Sequence, residues 1–118
     1  AVAFIDFEFA APTDPLRDVA VTLRHWAPIR DRSDMPTDWA DVDPVARCRL
    51  FLDSFGVETG DRRKVVRYVG EFLDQAMITM RHRAETEPMY REVWDAGYPL
   101  HNRRSRQWLD THADSLAD

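Results

Sequence analysis

The sequence lacks most of what small active sites are commonly built from. It has a single cysteine, Cys48, so no internal disulfide can form, and a reducing cytoplasm is the expected setting. Lys64 is its only lysine, against fifteen arginines. The four glycines, Gly56, Gly60, Gly70 and Gly97, stand apart, which excludes a glycine-rich loop cradling phosphate. There is no Gly-x-Ser-x-Gly elbow of a hydrolase. His25, His82, His101 and His112 are scattered, with no pair at metal-ligand spacing on a helix. No basic run occurs, and 16 basic against 21 acidic residues leave a net charge of −5, which argues against nucleic acid and anionic membranes as partners. No apolar run approaches the roughly 18 residues of a membrane span.

What is present is a globular composition, with 44% hydrophobic and 31% charged residues in 118, one domain's worth or less. The stretch from Phe4 to Ala20 is the most informative. Residues two apart share a face of a strand, so Val2, Phe4, Asp6 and Glu8 lie on one side and Ala3, Ile5, Phe7 and Phe9 on the other. The second face is wholly apolar and should cover a core. The first turns from apolar to acidic, as a strand does when it leaves a core for a polar cleft. Asp6 and Glu8 are then about 6–7 Å apart. That separation suits one direct ligand of a cation and one acting through water, or one ligand on each of two ions, since magnesium holds oxygens at about 2.1 Å. From the pattern alone, a half-exposed strand with both acids in solvent is the plainer reading.

The whole string settles more than the pair. Ile5-Asp6-Phe7-Glu8, then Pro12, Asp14-Pro15-Leu16 and Asp18-Val19-Ala20, resembles the aminoglycoside phosphotransferase family, a kinase-like group. Its members carry an Ile-Asp-Trp-Asp/Glu strand, a short turn and an Asp-Leu-Ala helix; Phe7 and Val19 depart mildly from that pattern. The resemblance implies that Asp6 binds magnesium with ATP, as the aspartate of a kinase Asp-Phe-Gly motif does. It implies that Glu8 lies near the same metal and that Asp18 braces the catalytic loop. Without it, Asp18 is an acid placed favourably in a helix's first turn.

Beyond this stretch the pattern is helical. Asp14-Pro15 and Asp43-Pro44 each combine an N-cap acid with proline in the first turn. Leu16, Val19, Ala20, Leu23 and Trp26 predict one apolar stripe, ended by Pro28. Residues 29–42 predict a long polar loop, more a surface connector than a lid, with Trp39 as its anchor. Val45, Cys48, Phe51, Leu52 and Phe55 predict a second stripe, closed by Gly56. Cys48 on that stripe reads as a small core hydrophobe. Thr59 or Asp61 is expected to cap a long central helix from about Arg62 to Arg83, with Val65, Val66, Val69, Phe72, Leu73, Ala76, Met77 and Met80 inward. Gly70 inside it suits a close helix crossing. Glu87-Pro88 opens a short helix with Met89, Val93 and Trp94. The last helix carries Leu100, Trp108, Leu109 and Leu116, with Arg103, Arg104 and Arg106 expected on a solvated face.

A kinase-like enzyme needs more than this. Lys64 sits in a charged helix start and is a poor phosphate lysine, and His112-Ala113-Asp114 follows the acidic strand where a catalytic loop should precede it. The chain opens at Ala1 inside a strand that has no partner strand downstream. The expected fold is therefore mainly α: the helical C-terminal lobe of a protein-kinase-like fold, residues 1–118, with one N-terminal strand whose partners lie elsewhere. The expected function is the C-terminal part of an ATP-dependent phosphotransferase acting on a small-molecule hydroxyl, completed by an N-terminal part and inactive alone. The alternative is a non-catalytic helical interaction module whose strand pairs with a partner or a second copy.

Overall fold

A computed structural model describes residues 14–118. Asp6 and Glu8, and the strand predicted to carry them, lie outside the described residues. Among these residues the fold is mainly α, with no strand. Five helices follow one another: α1 (Pro15–Trp26), α2 (Pro44–Ser54), α3 (Thr59–Ala84), α4 (Pro88–Asp95) and α5 (Tyr98–Ala117). Helix α3 is the central element, packing chiefly against α5 and α1, with α4 on its far half. Its 26 residues span roughly 39 Å.

The helix starts are local chemistry. The Asp14 carboxylate accepts from Leu16 N at 3.0 Å, and Asp43 accepts from Val45 N at 3.1 Å and Ala46 N at 3.2 Å, with Pro15 and Pro44 in the first turns. Helix α3 starts earlier than the pattern predicted. Neither Thr59 nor Asp61 caps it; Glu58 is the N-cap residue and makes no side-chain cap bond. Gly56 (φ 68°) and Gly97 (φ 113°) take the left-handed turns that end α2 and α4.

The core joins Ala20 and Leu23 of α1, Cys48 and Leu52 of α2, Val65, Tyr68, Val69 and Leu73 of α3, and Trp108, Leu109 and Leu116 of α5. Two residues assigned inward by the pattern face out: Trp26 is 69% exposed and Phe55 is 50% exposed. Ala27, four residues after Leu23, continues the inward row of α1 in place of Trp26, and Val57 is buried just beyond Phe55. Leu100 and Met89 are likewise exposed. The inward row of α5 instead includes the polar Asn102 and Ser105, both buried.

Segment 27–43 is more ordered than a polar loop. It begins with buried Ala27, Pro28 and Ile29 and contains two short 3₁₀ turns, Arg32–Asp34 and Thr37–Trp39. The Arg32 guanidinium donates to the carbonyls of Trp39, Ala40 and Val42 at 2.9–3.1 Å. Arg47 of α2 donates to Ala27 O and lies over the Trp39 ring, 4.9 Å from its centre, so Trp39 anchors the segment as expected. Asp34, only 4% exposed at its side chain, receives both Nε and Nη2 of Arg104, at 2.8 and 2.6 Å. Arg104 is thus a latch between this segment and α5, not part of a solvated face. Arg106 is also engaged, pairing with Asp74 at 3.2 Å and Asp110 at 3.0 Å. It covers Gly70: a Cβ added there would stand 2.9 Å from Arg106 Cζ. The close approach expected at Gly70 is therefore to a guanidinium, not to a neighbouring helix backbone.

Candidate functional site

Asp18, the described member of the three acids singled out in the sequence, is exposed on the first turn of α1. Its backbone carbonyl accepts from Thr22 Oγ1 at 2.9 Å, and its carboxylate makes no bond among the described residues. The acid that does organise this end of α1 is Asp14. Besides capping α1 it lies 2.8 Å from Lys64 Nζ and accepts from Tyr68 OH at 2.9 Å, both on α3. The Lys64 ammonium first, then the Leu16 N–H, lower its pKa to about 2. Asp14 holds Lys64 charged in return. Lys64 is thus committed to joining α1 and α3. No group of three or more His, Cys, Asp or Glu side chains gathers to hold a metal among the described residues.

His25 and His112 play local parts. His25 Nδ1 is 2.9 Å from Val21 O, and its ring meets Phe72 edge-on at 5.6 Å. His112 stacks on Trp108 at 4.3 Å within α5, while Asp114 two residues on pairs with Arg63 of α3. His112-Ala113-Asp114 therefore lies within a helix rather than on a loop. Cys48 is fully buried, and burial pushes its thiol up to about 12, which makes it a packing residue and no nucleophile.

The concave feature of most substance is a groove of about 510 Å³, within the range of small-molecule sites. The end of α1 and the start of the connecting segment supply Arg24, His25 and Arg30. Helix α3 supplies Phe72, Leu73, Ala76, Met80 and Arg83, and the far wall is Tyr90 and Tyr98. A second depression of about 340 Å³ shares Arg24, Arg30 and Tyr98 and extends to Val93 and His101. No aspartate or glutamate lines either depression. Arg83 is neutralised by Glu87 at 3.4 Å and donates to Tyr90 OH at 2.6 Å.

Arg24 and Arg30 are not neutralised in this way. Arg24 spends one N–H on Ile29 O at 3.0 Å. Burial first, and the charge of Arg30 second, lower its pKa. Arg30 Nε is buried with no hydrogen-bond partner among the described residues. Sequence reasoning missed this pair because Arg24 falls on the helix and Arg30 in the loop, six residues on. The turn at Ala27–Pro28 brings both to one groove.

These observations define a helical domain with a cationic, aromatic-walled groove. Compared with known proteins, the chain matches no family model, no curated protein and no solved structure.

Proposed function

We propose that this chain is the helical, acceptor-binding part of an ATP-dependent phosphotransferase that moves a phosphoryl group to a hydroxyl of a small molecule. The groove between α1, α3 and α4 carries this reading, because it gives the helical part a place of suitable volume and mixed polarity for an acceptor. The string from Ile5 to Ala20 supports it, and the predicted helix start at Asp14-Pro15 stands as read. Magnesium, in this reading, falls to Asp6 and Glu8 with ligands from a kinase-like N-terminal part. Bound with ATP, it would offset charge on the phosphates. The share of the described residues is to bind the acceptor and orient its hydroxyl.

The test uses the protein together with the nucleotide-binding part that the resemblance implies. Asp6→Asn is expected to abolish ATP-dependent turnover over an acceptor panel while leaving thermal stability and far-UV circular dichroism unchanged. Turnover close to the unsubstituted rate would remove Asp6 from the reaction. The 118-residue chain alone is expected to turn over nothing.

One observation favours the alternative of a helical interaction module whose N-terminal strand pairs with a partner. Met89 and Val93, four residues apart on one face of α4, are 72% and 45% exposed. Titration with magnesium and ATP separates the two readings: the module binds neither.

A further inference from the structure

We propose that Arg24 and Arg30 form an oxyanion subsite, and that the ligand of the groove is a small molecule carrying a phosphate or carboxylate on an aromatic or apolar body. As a statement about the acceptor this rests on the phosphotransferase reading; as a statement about binding it does not.

Three independent features carry it. The first is Arg30 itself, whose guanidinium makes no hydrogen bond or ion pair among the described residues, its Nε being shielded from solvent. A charged group left without any protein partner is costly in partly dry surroundings, and its terminal N–H groups remain available to an anion. The second is that two arginines, Arg24 and Arg30, line both depressions, with no carboxylate lining either. Tyr98 first and Asp34 second act on Arg24 in the opposite sense to Arg30, and the Asp34 carboxylate, the one carboxylate among them, is held by Arg104, with His101 Nε2 at 3.1 Å. Like charges gathered in partly dry surroundings repel each other, and an oxyanion between them reverses the sign of the local interaction. Guanidinium forks match phosphate and carboxylate oxygens in pairs, which selects these groups over a halide or a neutral amide.

The third is the neighbouring surface. Phe72, Ala76 and Met80 offer an apolar floor, with Tyr98 beside Arg24 and Arg30. A ligand fitting both parts has its anion at one end and its ring or alkyl body along α3. An inorganic ion fills only the first part.

The experiment follows binding by thermal shift and titration calorimetry at fixed ionic strength, without ATP or magnesium. The probes are phenyl phosphate, phenylacetate, benzyl alcohol and inorganic phosphate. Phenyl phosphate and phenylacetate are expected to raise Tm in a saturable way. Benzyl alcohol and inorganic phosphate are expected to bind at least tenfold more weakly. Arg30→Gln and Arg24→Gln are each expected to weaken phenyl phosphate binding at least tenfold and leave benzyl alcohol unaffected. Arg30→Gln is expected to keep or raise Tm without ligand, because it removes a buried unpaired donor and a repulsion. Equal affinity for phenyl phosphate and benzyl alcohol overturns the proposal in the unsubstituted protein, whether or not the variants fold. Unchanged phenyl phosphate affinity in Arg30→Gln also overturns it. The phosphotransferase reading is tested separately by Asp6→Asn, so either can fail without the other.

Discussion

Asn102 offers the sharpest test of how α5 is seated on α3. The residue is 3% exposed, and its Nδ2 donates to Leu73 O at 3.1 Å, with Tyr98 OH at 3.4 Å as a weaker partner. Leu73 O is a helical carbonyl that keeps its own helix partner, so losing Asn102 strands no acceptor. Asn102→Ala then loses one hydrogen bond and leaves a small void, which costs about 1–2 kcal/mol. Asn102→Leu loses the same bond but fills the site with apolar volume, and stays within about 1 kcal/mol of the parent. Asn102→Asp differs in kind. It sets carboxylate oxygen against carbonyl oxygen in a buried place, and the cost at neutral pH is about 3 kcal/mol or more.

The aspartate penalty also carries a pH signature. Burial raises the carboxyl's pKa in the folded state above its unfolded value of about 3.9. The penalty is therefore small below that value, where a protonated carboxyl can donate to Leu73 O. It grows as pH rises towards the folded-state pKa. Urea unfolding of the three variants between pH 3 and pH 8 measures this as shifts in midpoint at constant m-value. An aspartate variant no less stable than the alanine one at pH 7, or one indifferent to pH, would refute the placing of this amide against the α3 backbone.

Other consequences concern the core, the thiol and the acid limb. Leu109 is fully buried between α5 and its neighbours. Leu109→Ala should cost about 2–5 kcal/mol in urea unfolding, and a loss below about 1 kcal/mol would mean that this position is not core. Cys48 should resist a neutral-pH thiol reagent in the native protein and react fully in urea, since burial holds it as a thiol up to about 12; fast native labelling would contradict its burial. Asp14 has a folded pKa of about 2, below its ordinary 3.8, so its contribution is complete above pH 3.8 and fades as pH falls towards 2. Asp14→Asn should flatten the stability profile in that window while leaving its shape above pH 5 unchanged. An unaltered acid limb would show that the Lys64–Asp14 pairing contributes nothing there.

The string from Ile5 to Ala20 and the groove bear on each other through α1. That helix is capped by Asp14, within the string, and ends at the turn that brings Arg24 and Arg30 together. Arg47 helps hold this turn by donating to Ala27 O at 2.5 Å, so α2 supports the groove without lining it. The Asp34–Arg104 latch supports it from α5. Changes in either support should reach ligand binding through the position of Arg30 rather than by contact.

Much of this fold is written within single helical turns. Asp before Pro signals a start because a carboxylate two residues back is in reach of free N–H groups, and Asp14 and Asp43 both do this. Apolar residues three and four apart were enough to place Leu23, Cys48, Leu52, Val65, Val69 and Leu73 in the core. Such signals need no knowledge of the rest of the chain. The other features depend on groups far apart in sequence: Asp34 with Arg104, Asn102 with Leu73, Gly70 under Arg106, Tyr68 with Asp14. Periodicity treats Asn102, Ser105 and Arg104 as surface residues because it scores polarity alone. Whether a polar side chain turns inward depends on a partner waiting there, and that partner's position is set only when the helices pack. The same holds for Arg24 and Arg30, ordinary charges along the chain whose shared, partly dry environment exists only once α3 and the α4–α5 turn close over them.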